Sequence, residues 1–308
     1  MASQTVLGFL SARRYEVQSL ILVQSLRQFG AAMADIPVWI YVPQGREMEG
    51  PAMDALRELD VETISFTLDE GLWKFPFASK TIASGLAEER AEAEGLQLAW
   101  HDRTGMIRHM PEAFILPEGK TFAFRPTDIA NIGAPFGQPL PPFWQEVLGH
   151  FNLTADQLPP IKTAIDRKLL HLYINAGLLV VRPEKKTLRT WAANLKEIYA
   201  LPEFKPFYRQ NQAYAIFMHQ AALTAAVVQT TQPDERLVLP DSYLFSVDNF
   251  FDYAEDMRPK SLDEITTGRF HEFFALKNWQ DLVVASEDLL DWFQSQLAYG
   301  PYWSKAQE

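Results

Sequence analysis

Along the first hundred residues, short apolar runs alternate with stretches whose apolar positions recur every three or four residues. Thr5–Leu10 (T-V-L-G-F-L) is compact and apolar, the pattern of a buried strand. Behind it Tyr15, Leu22, Leu26 and Phe29 step at helical spacing, and Gly30 stands where that helix would stop. Residues 36–42 (I-P-V-W-I-Y-V) predict a second strand, with Pro37 near its start, where a missing N–H is tolerated. Met53, Leu56 and Leu59 mark a short helix, and Val61–Phe66 a third strand. Residues 79–94 predict a helix, with Ile82 and Leu86 four apart, and residues 96–100 a fourth strand. Strands separated by helices imply βαβ units and a mostly parallel, twisted sheet flanked by helices.

The pattern then changes. Residues 111–142 contain seven prolines and several glycines, which predicts an ordered loop with at most an edge strand. Long loops in compact domains tend to be binding surfaces, although a plain connector fits the composition equally well. Regular structure resumes at residues 172–182 (L-Y-I-N-A-G-L-L-V-V-R), a strongly apolar strand. Leu188, Trp191, Leu195 and Ile198 then give an amphipathic helix, and residues 211–228 another. Residues 241–251 are aromatic and loop-like. A last helix is capped by Ser286 and runs through Leu297, with Glu287 and Asp288 suited to the positive end of its dipole. No repeat, low-complexity tract or linker interrupts the 308 residues, so a single domain with a less regular C-terminal half is expected.

Composition narrows the function. Hydrophobic residues make up 47% of the chain and charged residues 22%, ordinary values for a globular protein with a full core. A formal charge of −11 argues against general nucleic-acid binding, which needs a basic face. With no cysteine, disulfides, thiolate catalysis and zinc–thiolate sites are excluded. The N-terminal apolar run meets Arg13 and Arg14, so it does not read as a signal peptide. No apolar stretch reaches the ~18 residues of a membrane span. The expectation is a soluble, cytoplasmic protein.

Candidate chemistry centres on Trp100-His101-Asp102-Arg103-Thr104-Gly105, at the end of the fourth strand. Open α/β sheets place their ligands outside the carboxyl ends of the strands. A carboxylate there can hold a divalent cation, Mn²⁺ or Mg²⁺, or a ribose hydroxyl beside a bound diphosphate. The cation would want a second carboxylate, which Thr104 cannot supply. Arg103 could instead neutralise phosphate through paired N–H donors. The competing reading is a solvated turn with Asp102 capping backbone amides.

Other candidates are weaker singly. Asn175-Ala176-Gly177 could admit a ligand close to the backbone, or could serve tight packing. Gln212 follows Asn211 at a helix start, a place for anions or for an ordinary N-cap. His271 and Lys277, six apart, could meet a diphosphate together. Ser11 and Arg13 occupy the first strand–helix turn, and Lys80 precedes the Asp102 strand by one helix. Asp128 lies in the proline-rich stretch; Asp241 and Asp248 lie in the aromatic one. The chain has no G-x-S-x-G, no Walker motif and no G-x-G-x-x-G, which disfavours α/β-hydrolases, P-loop enzymes and dinucleotide dehydrogenases.

Taken in order, W-H-D-R-T, I-N-A-G-L-L-V-V, N-Q-A-Y, L-P-D-S-Y-L-F and a late His followed by Lys-x-Trp resemble the GT-A type nucleotide-diphospho-sugar transferases, over about residues 5 to 280. The resemblance implies a GT-A-like α/β domain. About residues 1–110 would form its nucleotide-binding half and about 111–308 its acceptor side. It implies sugar transfer from a nucleotide-diphospho-sugar donor to an acceptor. Asp102 matches the first acid of the family's Asp-x-Asp, which binds the metal and the donor, while Thr104 departs from the second. Asn175, Ala176 and Gly177 match a strand beside the donor sugar or acceptor, and Gln212 the family's glutamine-bearing helix start. His271 and Lys277 resemble an H-x-G-x-x-K-P-W motif, with the His on the metal and the Lys on the diphosphate. Here the spacing is one residue longer and Asn278 replaces the proline; likewise Leu244 replaces the asparagine of L-P-x-x-Y-N-F. Asp102, Asp128 and Asp241 are the candidate catalytic residues, and an acceptor base would be Asp128, Asp241 or Asp248. Ser11, Arg13, Lys80, Asp102, Arg103, Asn175, Ala176, Gly177, Gln212 and Lys277 are the candidate donor contacts, and Asp102 with His271 the candidate metal ligands. The departures keep open a second reading, a protein of this fold that binds a nucleotide or glycan without transferring sugar. A nucleotidyltransferase would want a glycine-rich loop after the first strand, and Ser11-Ala12-Arg13-Arg14-Tyr15 has no glycine.

Overall fold

The computed structural model describes residues 4–303. In chain order its strands and α-helices are β1 (Thr5–Leu10), α1 (Glu16–Phe29), β2 (Val38–Pro43), α2 (Pro51–Arg57), β3 (Val61–Phe66), α3 (Glu70–Trp73), α4 (Ala78–Glu94), β4 (Gln97–His101) and β5 (Gly105–Ile107). There follow β6 (Phe122–Pro126), α5 (Pro142–His150), β7 (Pro160–Lys162), β8 (Leu169–His171), β9 (Ile174–Val181), α6 (Thr187–Ile198), α7 (Lys205–Gln210) and α8 (Gln212–Thr230). The last are β10 (Arg236–Val238), β11 (Phe245–Ser246), β12 (Thr267–Arg269) and α9 (Glu287–Leu297). The class is mixed α/β, mostly parallel in its main strands and flanked by helices, as the alternating pattern implied. Between Leu239 and Ser286 the described chain has only short strands and 3-10 turns, the less regular part. No helix among the described residues is long and apolar enough to cross a membrane.

The chain gathers into two compact units. The first comprises Met1–Thr67, Ala99–Ile115 and Leu239–Glu308; the second comprises Leu68–Leu98 and Leu116–Val238.

In the first unit β1 runs parallel to β2, with Leu7 opposite Val38, and β2 parallel to β3. The other neighbour of β1 is β4. Every residue of β2 and all but Leu10 of β1 are buried, which is why these strands read as unbroken apolar runs. A smaller sheet joins β11 parallel to β12, and β12 antiparallel to β5. Ser25 of α1 accepts a hydrogen bond from the Ile107 amide at 2.9 Å, fixing β5 against that helix. The C-terminal helix closes an aromatic cluster: Trp292 meets Phe29 edge-on, and Phe293 packs on Phe274 and Trp279.

Asp263 pins this C-terminal segment. Its carboxylate accepts from Ser261 Oγ (2.6 Å), Arg108 Nη2 (2.9 Å) and both the amide (2.7 Å) and Oγ (2.8 Å) of Ser286, the N-cap of α9. Burial alone would raise its pKa, but these hydrogen bonds outweigh it and hold the group well below the usual carboxylate range. A carboxylate depressed in the folded state stabilises the fold fully above its unfolded pKa of about 4, and loses that contribution as pH falls below it. Asp263→Asn is therefore expected to cost about 1–3 kcal/mol at neutral pH. It should also flatten the fall in melting temperature between pH 5 and pH 3 in a thermal melt series. An unchanged acid limb would contradict this role.

In the second unit β6 lies between β9 and β10, antiparallel to the first and parallel to the second. The proline-rich stretch therefore holds an inner strand, whereas the sequence pattern suggested an edge strand at most. All five residues of β6 are buried, and Pro126 ends it just past a bulge between Phe124 and Arg125, where its missing N–H is tolerated. The same stretch ends in α5, which starts on Pro142, a residue pre-set for the first helical turn. Helices α4, α6 and α8 pack together. Glu88 of α4 accepts from the Leu188 and Arg189 amides at the start of α6, and Trp191 Nε1 donates to the His219 carbonyl at 2.6 Å. Gly85 permits the α4–α6 approach, since a Cβ there would sit 3.2 Å from that of Ala192.

Candidate functional site

The turn His101–Thr104 leads from the end of β4 into β5. His101 is buried and its Nδ1 faces the Asp102 carbonyl oxygen at 2.8 Å, an arrangement only an Nδ1–H can use. Gly105 makes the turn possible: a Cβ there would strike the His101 ring and come within 3.0 Å of the Asp102 carbonyl. Gly105→Ala is expected to cost about 1–3 kcal/mol through this overpacking. A thermal melt checks it, and an unchanged midpoint would show that the His101 ring moves aside freely. Asp102, Arg103 and Thr104 are each half-buried.

Strand register decides what meets this turn. Gly105, the first residue of β5, opposes Arg269, the last of β12, and Arg269 opposes Ser246, the last of β11. The chain therefore leaves β11 and β12 at the end where β5 begins. Asp248 lies two residues past Ser246 and His271 two past Arg269, and the Phe270 amide donates to the Thr104 carbonyl at 2.8 Å. Both Asp248 carboxylate oxygens are engaged, one by the His271 amide (2.7 Å) and the other by the Glu272 amide (2.8 Å). From the other side Tyr302 donates its hydroxyl to the His271 carbonyl at 3.1 Å. Burial pushes the Tyr302 pKa far up, and the charges of Asp248 and Glu272 add to it, so the hydroxyl keeps its proton. The loop bearing His271 is thus held on both sides.

The first strand–helix turn belongs to the same unit. Ser11 is fully buried, its Oγ 2.6 Å from that of Ser19 and its amide donating to the Tyr41 carbonyl. Tyr15, just before α1, lies under the Arg103 guanidinium, which is centred 3.5 Å from its ring. Arg13 is exposed and pairs with Glu49 at 3.4 Å. Arg14 adopts a left-handed φ of 82° and its guanidinium lies 4.3 Å from the Trp303 ring. The structure therefore gathers the turns around Ser11, Asp102–Arg103, Asp248 and His271. Asp241 and Lys277 are exposed residues of the same unit, on the turn before β11 and on the loop six residues past His271. Among the described residues no group of three or more His, Cys, Asp or Glu is assembled to hold a metal ion.

The second unit holds the remaining candidates. Asn175, Ala176 and Gly177 are buried in β9, where Asn175 Oδ1 accepts from the Gly177 amide at 3.0 Å and Asn175 faces Arg125 in register. Lys80 is buried in the first turn of α4, after Phe77 in a left-handed conformation. Gln212 is the exposed first residue of α8; Asn211 before it is an ordinary N-cap, accepting from the Ala213 amide at 2.9 Å. The Asp128 carbonyl accepts from the Ile165 amide at 2.7 Å, tying the proline-rich stretch to the loop after β7. Sequence reasoning missed Tyr302 as a partner of the His271 loop and Tyr15 as the bed of Arg103. Only the folded chain brings residues so far apart in sequence together.

A family model described as Rhodobacterales glycosyltransferase domain matches residues 7–231. No curated protein sequence matches the chain. Among solved structures, the apo form of WbbM, a bifunctional glycosyltransferase, aligns with a TM-score of 0.58 and 11% identity, covering 98% of this chain and 51% of that one. This chain thus spans about half the length of WbbM. An active-site mutant of LgtC aligns with a TM-score of 0.51 and 12% identity, over 90% of this chain and 93% of that one. At such identities the likeness concerns the fold alone, and that fold is the GT-A type.

Proposed function

The chain belongs to the Rhodobacterales glycosyltransferase domain family, and from that premise we propose that it moves a sugar from a nucleotide-diphospho-sugar donor to an acceptor. The observation that carries the donor half of this reading is the convergence of the Asp102–Thr104 turn with the clamped His271 loop, through the Gly105–Arg269 register. A carboxylate at that strand end suits a ribose or sugar hydroxyl. Stabilising the departing diphosphate is the main catalytic demand, and fixed positive charge and N–H donors meet it. Asp102 and Arg103 are the first unit's donor contacts, with Arg13 and Lys277 as outer cations; Ser11, fully buried against Ser19, shapes the turn rather than touching the donor. In the second unit Lys80, Asn175, Ala176, Gly177 and Gln212 are the donor candidates and Asp128 the acceptor-side acid. Asp241 is the corresponding acid of the first unit. Asp248 is better read as a positioning residue, since both its oxygens hold backbone amides. Residues up to about 110 are assigned to nucleotide binding and the remainder to the acceptor side.

A divalent cation fits these residues poorly, because Thr104 stands for the second acid and no cluster of three ligating side chains is present among the described residues. The same Thr104 favours the second reading, nucleotide or glycan binding without transfer. A thermal-shift panel of UDP-, GDP-, ADP- and CMP-sugars tests donor binding directly. A donor at roughly 100 times its dissociation constant stabilises by about 2.7 kcal/mol. A shift confined to one nucleotide class is expected, and no shift with any would remove the donor assignment.

A further inference from the structure

We infer that the donor diphosphate is held by the Arg103 guanidinium itself, with no divalent cation between protein and phosphate. This deepens the donor reading above and rests on it. Two independent observations carry it. The first is the ligand chemistry of the Asp102 turn. A magnesium or manganese ion asks for several oxygen ligands. Here position 104 is a threonine, and its carbonyl already accepts from the Phe270 amide. Among the described residues no third His, Asp or Glu joins Asp102 and His271. Asp248, two residues past the end of β11, has both oxygens engaged by backbone amides.

The second observation is the state of Arg103. Its guanidinium rests on the Tyr15 ring, and among the described residues no hydrogen-bond or ion-pair partner takes its N–H donors. Its Nε is buried without a partner. A chain with a net charge of −11 has carboxylates to spare, yet among the described residues none forms an ion pair with this cation. Stacking fixes the side chain while leaving the fork of donors, which lie in the guanidinium plane, for a ligand. A planar fork matches two phosphate oxygens at once. The cation also follows Asp102 directly in the chain, just past the end of β4.

The test is calorimetric titration of UDP, GDP, ADP and CDP into the whole protein, first in excess EDTA and then in manganese. The expected result is that the preferred nucleotide binds equally well in both, and that inorganic pyrophosphate competes with it. Arg103→Gln should weaken binding by about ten-fold or more, the size of a lost charge-assisted hydrogen bond. Arg103→Lys, which keeps the charge but not the fork, should fall between. If Arg103→Gln does not fold, as judged by its melting curve, Tyr15→Leu removes the stack instead and should also weaken binding in EDTA. Binding that appears only with manganese would overturn the inference and leave the donor reading standing. So would wild-type affinity in a folded Arg103→Gln protein. No binding of any nucleotide in either condition would overturn the donor reading as well.

Discussion

An Asp102→Ala protein is expected to melt within a few degrees of wild type and to lose nucleotide-sugar turnover by about a hundred-fold or more, the size of effect seen when a preorganised polar group at a reaction centre is removed. The two halves of this expectation have separate causes. The carbonyl of residue 102 receives the His101 imidazole at 2.8 Å, and alanine keeps that carbonyl. The side chain is half-buried at the end of β4, so its removal leaves no large cavity. Its carboxylate stands where open α/β sheets meet their ligands. Rates of nucleoside diphosphate release, with melting curves on the same samples, separate fold from function. Wild-type turnover in this variant would remove Asp102 from the site.

Trp144→Ala is expected to destabilise the protein by about 3–5 kcal/mol, as for other large aromatics emptied from a packed interior. Trp144 is 1% exposed, meets Phe143 and Tyr173 edge-on, and donates its Nε1 hydrogen to the Ile132 carbonyl at 2.6 Å. It therefore fastens α5 to the proline-rich stretch as well as filling volume. Alanine would open a cavity and leave the buried Ile132 carbonyl without that partner. Urea unfolding followed by fluorescence and circular dichroism checks the prediction. A loss under about 1 kcal/mol, the level of an ordinary surface change, would mean that the aromatic cluster around Phe143 closes over the gap.

The strands and helices of the first hundred residues were readable because each signal was local. The strand Thr5–Leu10 is an unbroken apolar run and emerged with those bounds, and α1 has helical spacing and ends before Gly30, although Tyr15 precedes it as its N-cap. Ser286 as a helix cap was equally local. The inner strand Phe122–Pro126 was not readable, because prolines on both sides mask a three-residue apolar core whose burial comes from β9 and β10. The sheet formed by β5, β11 and β12 has strands of only two or three residues, too short to show any period. Yet that sheet brings Asp248 and His271 to the Asp102 turn. So Asp102 and Arg103 could be picked from a strand-end motif, whereas the Asp248 and Tyr302 clamps and the Tyr15 stack depend on tertiary contacts that no spacing encodes.

The most direct test of sugar transfer is release of nucleoside diphosphate from UDP-, GDP- and ADP-sugars by the purified chain, compared with the Asp102→Ala variant. Release from one donor class that disappears in the variant is the predicted result. Tight binding of a nucleotide sugar with no release, in the presence of a range of sugar acceptors, would contradict it and leave a GT-A fold that binds without transferring.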